Sequence, residues 1–488
     1  MSTCQNSFNP DLSKLSKNVY VEQIFTKCLA QYSYYIEANG NAIVIDPIRE
    51  SEVYLNILNK RQAKLKYVME THFHADFVSG HCELAEMSKA EIVFGPGAIA
   101  EFKIIEGKNN QLFDLSDTVK IRLIHTPGHT LESSCFVLTE LQEDKTYKDL
   151  ALFTGDTLFL GDVGRPDLAV KSDLTSKDLA ELLFNSIKTL KDLNDEVVVL
   201  PGHGAGSACG KAIQVGSAST IGLQKKSNFY LNDNLKKEEF VEILCANIPT
   251  PPEYFFFDAV CNKKNITNHH EILKKSMIKL DLSELENLMK SGVKIIDSRH
   301  HDHVVEDGFI RNTYPVCLEM SYAIWCATLF SPNSKVALIT DPGKEEESIT
   351  RLTRVGFENI LGYLDGGINT WKNAGKELLK LKYSDLEESK KIILNSPELI
   401  FDCRKKTELE NPGSFKNVQK LQLHELESKT DELKQLDKMY VLCKSGNRAL
   451  IAGSILRSHD WKNDIIIMKG GFDALFKDES ISSQVIKY

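Results

Sequence analysis

Short apolar runs, each handing over to a loop that carries histidine or aspartate, recur through the first half of the chain. Leu65–Met69 leads into His72-Phe73-His74-Ala75-Asp76, and Val119–Leu123 leads into His125-Thr126-Pro127-Gly128-His129. Leu152-Phe153-Thr154-Gly155 ends in Asp156, and Val197–Leu200 ends in Pro201-Gly202-His203. Runs of this length, bounded by turn residues, predict buried strands. Tyr20–Pro47 predicts paired strands with a hairpin turn at Asn39-Gly40, and Ala42–Ile45 predicts a buried strand ending in Asp46. Segment 51–60 predicts a helix, Ile92–Phe94 a strand, and Ser79-Gly80 opens a helix over His81–Met87. Loops where strand ends converge are the usual place for a metal and a substrate in a layered α/β fold.

The pattern changes across residues 249–277, where Pro249, Pro251 and Pro252 break structure and Asn262–Asn268 is a polar linker. Beyond it the chain repeats. Lys294-Ile295-Ile296-Asp297-Ser298-Arg299 recurs as Leu399-Ile400-Phe401-Asp402-Cys403-Arg404. Val336–Thr340 recurs as Met439–Leu442, and Leu364-Asp365-Gly366-Gly367-Ile368 recurs as Met468-Lys469-Gly470-Gly471-Phe472. Matched landmarks at a common offset predict a duplicated domain of roughly 100 residues. Strand–helix alternation in each copy predicts a parallel-sheet α/β fold.

A chain of 488 residues suggests about three domains. Its 42% hydrophobic and 26% charged residues are those of a soluble globular protein. The net charge of -9 gives no reason to expect a nucleic-acid or membrane partner. No apolar run of about 18 residues occurs, so no transmembrane helix is predicted. Met1–Asn18 lacks the apolar core of a secretory signal and is expected to be a loose lead-in. The 11 cysteines are scattered and odd in number, which predicts reduced thiols in a cytoplasmic setting, mostly as small buried residues.

Candidate chemistry gathers at a few places. In His72-x-His74-x-Asp76 the side chains of one parity share a side while the segment is extended. Imidazole and carboxylate together suit Zn, Fe, Mn or Ni. Arg165 and Asp167 flank the Asp156 loop, either as a surface ion pair or with Arg165 holding a substrate carboxylate or orienting that loop. Lys225 and Lys226 are either solvated or a binding site for an anionic carrier such as glutathione. Cys209, six residues past His203 in a glycine-rich loop, is either an inert thiol or a sulfur-handling one. In the second repeat the strand ends in Cys443-Lys444-Ser445-Gly446-Asn447-Arg448 before a helix over Ala449–Arg457. A thiol there meets backbone N–H groups and the positive helix end, and Arg448 adds a fixed charge, so a thiolate is favoured. The corresponding loop of the first repeat, Asp341–Glu347, has no cysteine and carries three glutamates that would repel an anionic donor.

The ordered set His72-x-His74-x-Asp76, His129, Asp156, His203 resembles the metallo-β-lactamase superfamily over about residues 18–260. A generic member has a second histidine directly after Asp76; here Phe77 stands there, which favours one metal over two. Thr154–Leu158, Gly164-Arg165-Pro166-Asp167 and Pro127–Thr130 are similar to the persulfide dioxygenase branch. That resemblance implies a single Fe(II) held by His72, His129 and Asp156, with His74, Asp76 and His203 supporting those ligands or handling protons. The Cys443 loop resembles the Cys-x-x-Gly-x-Arg loop of rhodanese sulfurtransferases, with Cys443 and Arg448 as its catalytic pair.

Three domains follow as an expectation: a metallo-β-lactamase αββα sandwich over 1–262, a degenerate rhodanese-like domain over 278–380, and an active rhodanese over 384–488. The fusion implies oxidation of a low-molecular-weight persulfide (on glutathione, coenzyme A, bacillithiol or cysteine) by O₂ to sulfite and thiol. Transfer of sulfane sulfur by Cys443 to sulfite would then give thiosulfate. Related domains commonly associate, which implies a homo-oligomer. The competing expectations are a Zn-dependent thioester hydrolase of the glyoxalase II type with an appended sulfurtransferase, and a non-catalytic persulfide carrier or sensor.

Overall fold

The computed structural model describes residues 11–170, 174–248, 250–319, 321–433, 436–459 and 463–486. The first ten residues of the expected lead-in and the boundary residue Pro249 lie outside them. From residue 11 the lead-in is docked rather than loose. Leu12 and Leu15 pack on the inner core. Ser16 Oγ and Asn18 Nδ2 each donate to Glu140 at 2.7 Å. The chain divides into two compact units, residues 1–271 with 353–356, and residues 272–352 with 357–488.

In the first unit two six-stranded sheets face each other. One sheet takes its strands in chain order, from Tyr20–Thr26 to Ile105–Glu106. The other runs, from one edge, Ser219–Thr220, Val198–Pro201, Tyr147–Gly155, Ser134–Leu141, Val119–His125 and Leu112–Asp114. The expected Asn39-Gly40 hairpin joins Gln31–Ala38 to Asn41–Ile45, with Ala38 paired to Asn41. Alternation along each strand puts one row of side chains, including Tyr34, Ile43, Ile45, Phe136 and Phe153, into the core between the sheets. The opposite row meets helices. Tyr54 and Leu58, from helix Glu52–Arg61, cover Tyr35, Val44 and Val68. Leu183 and Ile187, from helix Ser176–Lys191, cover Val137, Leu152 and Val199. This is the αββα sandwich expected from the sequence.

The second unit holds two five-stranded sheets whose strands pair in parallel, one for each repeat. The repeated Asp-x-Arg landmark has one physical meaning in both. Arg299 donates to Asp297 through Nε at 2.9 Å and Nη2 at 2.6 Å, and reaches the Gly308 carbonyl at 2.8 Å. Arg404 does the same to Asp402 at 3.0 and 2.7 Å and to the Gly413 carbonyl at 2.9 Å. Both arginines are about 1% exposed. A buried charge with a two-pronged partner is tolerated, and one left alone is not.

The repeated Gly-Gly landmark is a close approach. A Cβ on Gly471 would lie 2.4 Å from the Cys443 carbonyl oxygen, and one on Gly367 would lie 2.7 Å from that of Thr340. Both glycines have positive φ, 62° and 57°.

Replacing Asp402 with alanine strands the Arg404 guanidinium. The second unit is expected to lose about 3–5 kcal/mol, checked as a lower urea midpoint of its unfolding transition.

Candidate functional site

Two neighbouring parallel strands, Asn41–Ile45 and Lys64–Met69, end side by side, with Ile45 paired to Met69. The next residues on each are Asp46 and Glu70, both about 1% exposed. Asp46 organises the loop that follows. Its Oδ1 accepts from the Thr71 amide at 2.7 Å and its Oδ2 accepts from Thr71 Oγ1 at 2.9 Å. Having given its one proton to Asp46, the Thr71 hydroxyl accepts from His72 Nδ1 at 2.9 Å. That fixes the tautomer of His72 and leaves a lone pair on Nε2. His129 is set in the same way. Its Nδ1 lies 2.9 Å from the Arg165 carbonyl oxygen, which can only accept, so Nε2 is again the free nitrogen.

Both free nitrogens face Asp156. His129 Nε2 lies 3.5 Å and His72 Nε2 3.8 Å from Asp156 Oδ2. That oxygen is buried and has no hydrogen-bond partner among the described residues, while Oδ1 is held by His203 Nδ1 at 2.7 Å. An unpartnered carboxylate oxygen between two imidazole lone pairs, all within 4.8 Å, suits a divalent cation. Burial, then the charge on His74, pushes His72 well below the usual histidine range, so it is a neutral donor. Burial opposes ionisation of Asp156, but His203 and the neighbouring imidazoles hold its carboxyl far below the usual carboxylate range. Gly155 permits this approach, because a Cβ there would lie 2.3 Å from Thr71 Oγ1.

The expected sharing of one side by His72, His74 and Asp76 does not hold. The segment is a bent loop rather than an extended one, and the three side chains enter three clusters. His74 turns to the two carboxylates, its Nε2 lying 3.2 Å from both Asp46 Oδ1 and Glu70 Oε2. Glu70 also meets His81 Nδ1 at 2.9 Å and accepts from Ser79 Oγ. Against the cost of burial, His74 is held protonated by Asp46 and Glu70. Burial likewise opposes the charge on His81, and contacts with Cys82 and Glu70 lift it to about 9. Burial works against ionising Glu70 too, yet hydrogen bonds from the two histidines bring it down to about 2. Phe77, fully buried, packs its ring 4.4 Å from that of His74. Asp76 joins His203, with Oδ2 2.8 Å from Nε2, and Cys209 completes that third cluster. Asp156 and Asp76 hold His203 protonated in spite of burial, up to about 10, while burial holds the Cys209 thiol well above its ordinary value.

Sequence reasoning missed Asn262, which it placed at the edge of a polar linker. The residue is 2% exposed and clamps the histidine loop. Its Nδ2 donates to the carbonyls of His74 and Phe77, each at 2.8 Å, and its Oδ1 accepts from the Ser79 amide at 2.8 Å. Glu70 was missed as well; its one signal was its place directly before Thr71, at a strand end.

In the second unit, Cys443 lies between strand Lys438–Leu442 and helix Asn447–Ser458. The Gly446 amide lies 3.1 Å from its sulfur. Burial would raise the thiol. Contact with Cys403, then Arg448 and the Ala449 and Ser445 amides, bring it down to about 6. The Arg448 charge is shared: its Nη1 and Nη2 meet Glu408 at 2.5 and 2.7 Å. Trp325, from the first repeat, lies 5.4 Å from the Arg448 guanidinium and 5.5 Å from Lys405 Nζ. In the first repeat the place of Cys443 is taken by Thr340, whose carbonyl faces Gly367 as that of Cys443 faces Gly471.

Residues 26–203 match the metallo-beta-lactamase superfamily, and residues 385–478 match the rhodanese-like domain. A hydroxyacylglutathione hydrolase of Pelagibacter ubique is 31% identical over 36% of this chain and 68% of its own length. This chain belongs to the metallo-beta-lactamase superfamily. A probable polyketide biosynthesis zinc-dependent hydrolase of Bacillus subtilis, PksB, is 30% identical over 38% of this chain and 77% of its own length. A metallo-beta-lactamase structure from Staphylococcus aureus superimposes with a TM-score of 0.64 at 27% identity, covering 71% of this chain and 99% of its own.

The remaining expected site residues of the metallo-beta-lactamase domain fall as follows. Arg165 is not on the surface but 4% exposed. It donates to Asp167 at 2.6 and 2.7 Å and to the Ala208 carbonyl at 3.2 Å. Its guanidinium is engaged within the protein, and its backbone carbonyl is what touches a candidate ligand, His129. Lys225 pairs with Asp195 at 2.6 Å, and Lys226 is exposed at the end of the same helix.

Asn262→Ala leaves two carbonyls and an amide without their partner. A loss of about 3 kcal/mol is expected, together with lower metal retention, read by thermal melting and by metal content after dialysis. For Cys443, the thiolate is present above its lowered value and lost as pH falls through it. Alkylation by iodoacetamide is expected to be half-maximal near pH 6, against an ordinary value of 9.0; a midpoint near the ordinary value would refute the activated thiolate.

Proposed function

We propose that the chain is a persulfide dioxygenase joined to a sulfurtransferase. Its metallo-beta-lactamase domain would carry one Fe(II) on His72, His129 and Asp156. The observation that carries this reading is the three-donor set itself. His74, the fourth donor of a fuller site, is turned onto Asp46 and Glu70, and a phenyl ring stands at position 77. Two imidazoles and one carboxylate leave positions open for two further molecules. Iron bound there supplies the means of joining O₂ to a persulfide sulfur.

The chain's own residues do the rest. Thr71 and the Arg165 carbonyl hold the two imidazoles in the tautomer that presents Nε2. His203 holds a proton between Asp156 and Asp76 and keeps Oδ1 occupied, so only Oδ2 faces the open side. Cys209, next to that pair, would be the thiol that meets a substrate sulfur. With two oxygens from O₂ and the third from water, the terminal sulfur of the persulfide would leave as sulfite and the carrier as thiol. In the rhodanese-like domain the Cys443 thiolate attacks the terminal sulfur of a second persulfide, releasing its thiol. Sulfite then takes that sulfur as thiosulfate and returns the thiolate. Low-molecular-weight persulfide, O₂ and sulfite are the partners this scheme needs. No described helix is long and apolar enough to cross a membrane.

A second reading, hydrolysis of a thioester on zinc, is favoured by the hydroxyacylglutathione hydrolase and zinc-dependent hydrolase relatives. Asp76, His203 and Cys209 lie close enough together to serve it with a second ion.

Metal content and O₂ uptake on glutathione persulfide, with anaerobically purified protein, separate the two. About one iron per chain with persulfide-dependent uptake is expected; two zinc ions and no uptake would move the function to thioesters. Cys443→Ser is expected to leave O₂ uptake within about twofold of wild type while thiosulfate falls at least about a hundredfold. Equal loss of both would refute a two-site protein.

A further inference from the structure

Cys443 is not alone. The strands Ile400–Asp402 and Lys438–Leu442 pair in parallel, with Ile400 against Tyr440, Phe401 against Val441 and Asp402 against Leu442. The next rung sets Cys403 against Cys443. The rung is real, since the Cys403 amide donates to the Leu442 carbonyl at 2.8 Å. Side chains on one rung of a parallel pair point to the same face, and strand spacing brings their Cα atoms within disulfide reach. The Cys403 sulfur lies 3.1 Å from the carbonyl oxygen of Leu442, the residue directly before Cys443. Both residues are buried and both are free thiols.

The first repeat supplies an internal comparison. Ser298 occupies the place of Cys403: its amide also donates to the last strand carbonyl, that of Ile339, at 2.8 Å, and its Oγ lies 3.3 Å from the same oxygen. Thr340 occupies the place of Cys443. The copy without a nucleophile has oxygen at both positions of the rung, and the copy with a nucleophile has sulfur at both. At 298 the hydroxyl is also paired with Ser348 Oγ at 2.9 Å, whereas the thiol at 403 stands on the rung of Cys443.

We propose that Cys403 is a second catalytic residue, a resolving thiol that discharges the Cys443 persulfide as sulfide when sulfite is absent. The inference rests on the reading of Cys443 as a sulfur carrier. Sulfite attacks the outer sulfur of Cys443–S–SH and leaves with it as thiosulfate. Cys403 is placed beside the inner sulfur instead. Its sulfur bonds to Cys443 Sγ, and the Sγ–S bond breaks with its electron pair going to the outer sulfur. That sulfur takes the Cys403 proton and leaves as hydrogen sulfide. The sulfane sulfur is reduced, and the two cysteines are oxidised to one disulfide. A low-molecular-weight thiol then reopens the disulfide by exchange. The thiol at 403 is held protonated by its contact with the Cys443 sulfur and by burial. It is therefore silent toward outside reagents and becomes the attacking group when its proton is handed to the leaving sulfur. Proximity does the work, since adjacent strands hold the two cysteines on one rung.

The experiment uses the full-length protein, reduced, freed of thiol, and given one equivalent of glutathione persulfide without O₂ or sulfite. After an acid quench and alkylation, peptide masses are read and released sulfide is measured. A Cys403–Cys443 disulfide is expected, with one sulfide per disulfide and recovery of both thiols on adding dithiothreitol. In Cys403→Ser, Cys443 is expected to keep the extra sulfur, with sulfide release at least about tenfold slower. A wild-type protein that holds the persulfide on Cys443 with no 403–443 disulfide, yet yields thiosulfate when sulfite is added, would overturn the resolving role and leave the carrier standing. No sulfur on Cys443 in either protein would overturn both. The disulfide is mapped in the unsubstituted chain, so the test does not depend on how the variant folds.

Discussion

The first unit is built around carboxylates kept away from water at strand ends. Asp46, Glu70 and Asp156 are each about 1% exposed, and burial of that kind is costly unless every charge has a partner. The surrounding residues answer this one by one. His74 and His81 balance Asp46 and Glu70, Thr71 takes both oxygens of Asp46, and His203 takes one oxygen of Asp156. Asp156 Oδ2, facing the Nε2 atoms of His72 and His129, is left without a hydrogen bond among the described residues, and the candidate metal centre stands there. The same network orients the donors, since the chain from Asp46 through Thr71 to His72 decides which nitrogen is presented.

The second unit uses burial differently. Each repeat holds its own Asp-x-Arg pair, bonded to itself and to a carbonyl, so the scaffold is the same in both copies. Divergence is confined to the rung just beyond the strand ends and to the loop after it. In the first copy Glu345, Glu346 and Glu347 lie in the first turn of helix Glu345–Thr353, where negative charge suits the helix dipole and no anionic sulfur species would be welcomed. In the second copy the equivalent helix begins at Asn447, without acidic residues in its first turn, and its amides turn to the Cys443 sulfur instead. The first copy still contributes to the second, through Trp325 against Arg448.

Much of the fold was legible because it is written in local patterns. Apolar runs marked the strands, Asn39-Gly40 marked the hairpin, and the recurrence of Asp-x-Arg and Gly-Gly marked the duplication. The candidate ligands were legible as residue types at strand ends, and Cys443 as a thiol before a helix. Three things were not. His74 and Asp76 share parity with His72 yet enter separate clusters, because the loop bends where the alternation rule assumes extension. Asn262 reads as a linker residue, and nothing local ties it to a loop 188 residues earlier. The partner of Arg448 is Glu408, forty residues before it, and that of Cys443 is Cys403, also forty before.

The sequence by itself determined the elements, the repeat and the chemistry available, since each depends on residues close together in the chain. Backbone propensity, side-chain period and turn chemistry act over a few residues and leave a readable trace. Which nitrogen of each histidine faces the site, which carboxylate oxygen is left unpartnered, and which thiol stands beside Cys443 were decided only by the tertiary structure. Those outcomes depend on strand register and on burial, which make a hydrogen bond between distant residues obligatory and then assign its donor and acceptor.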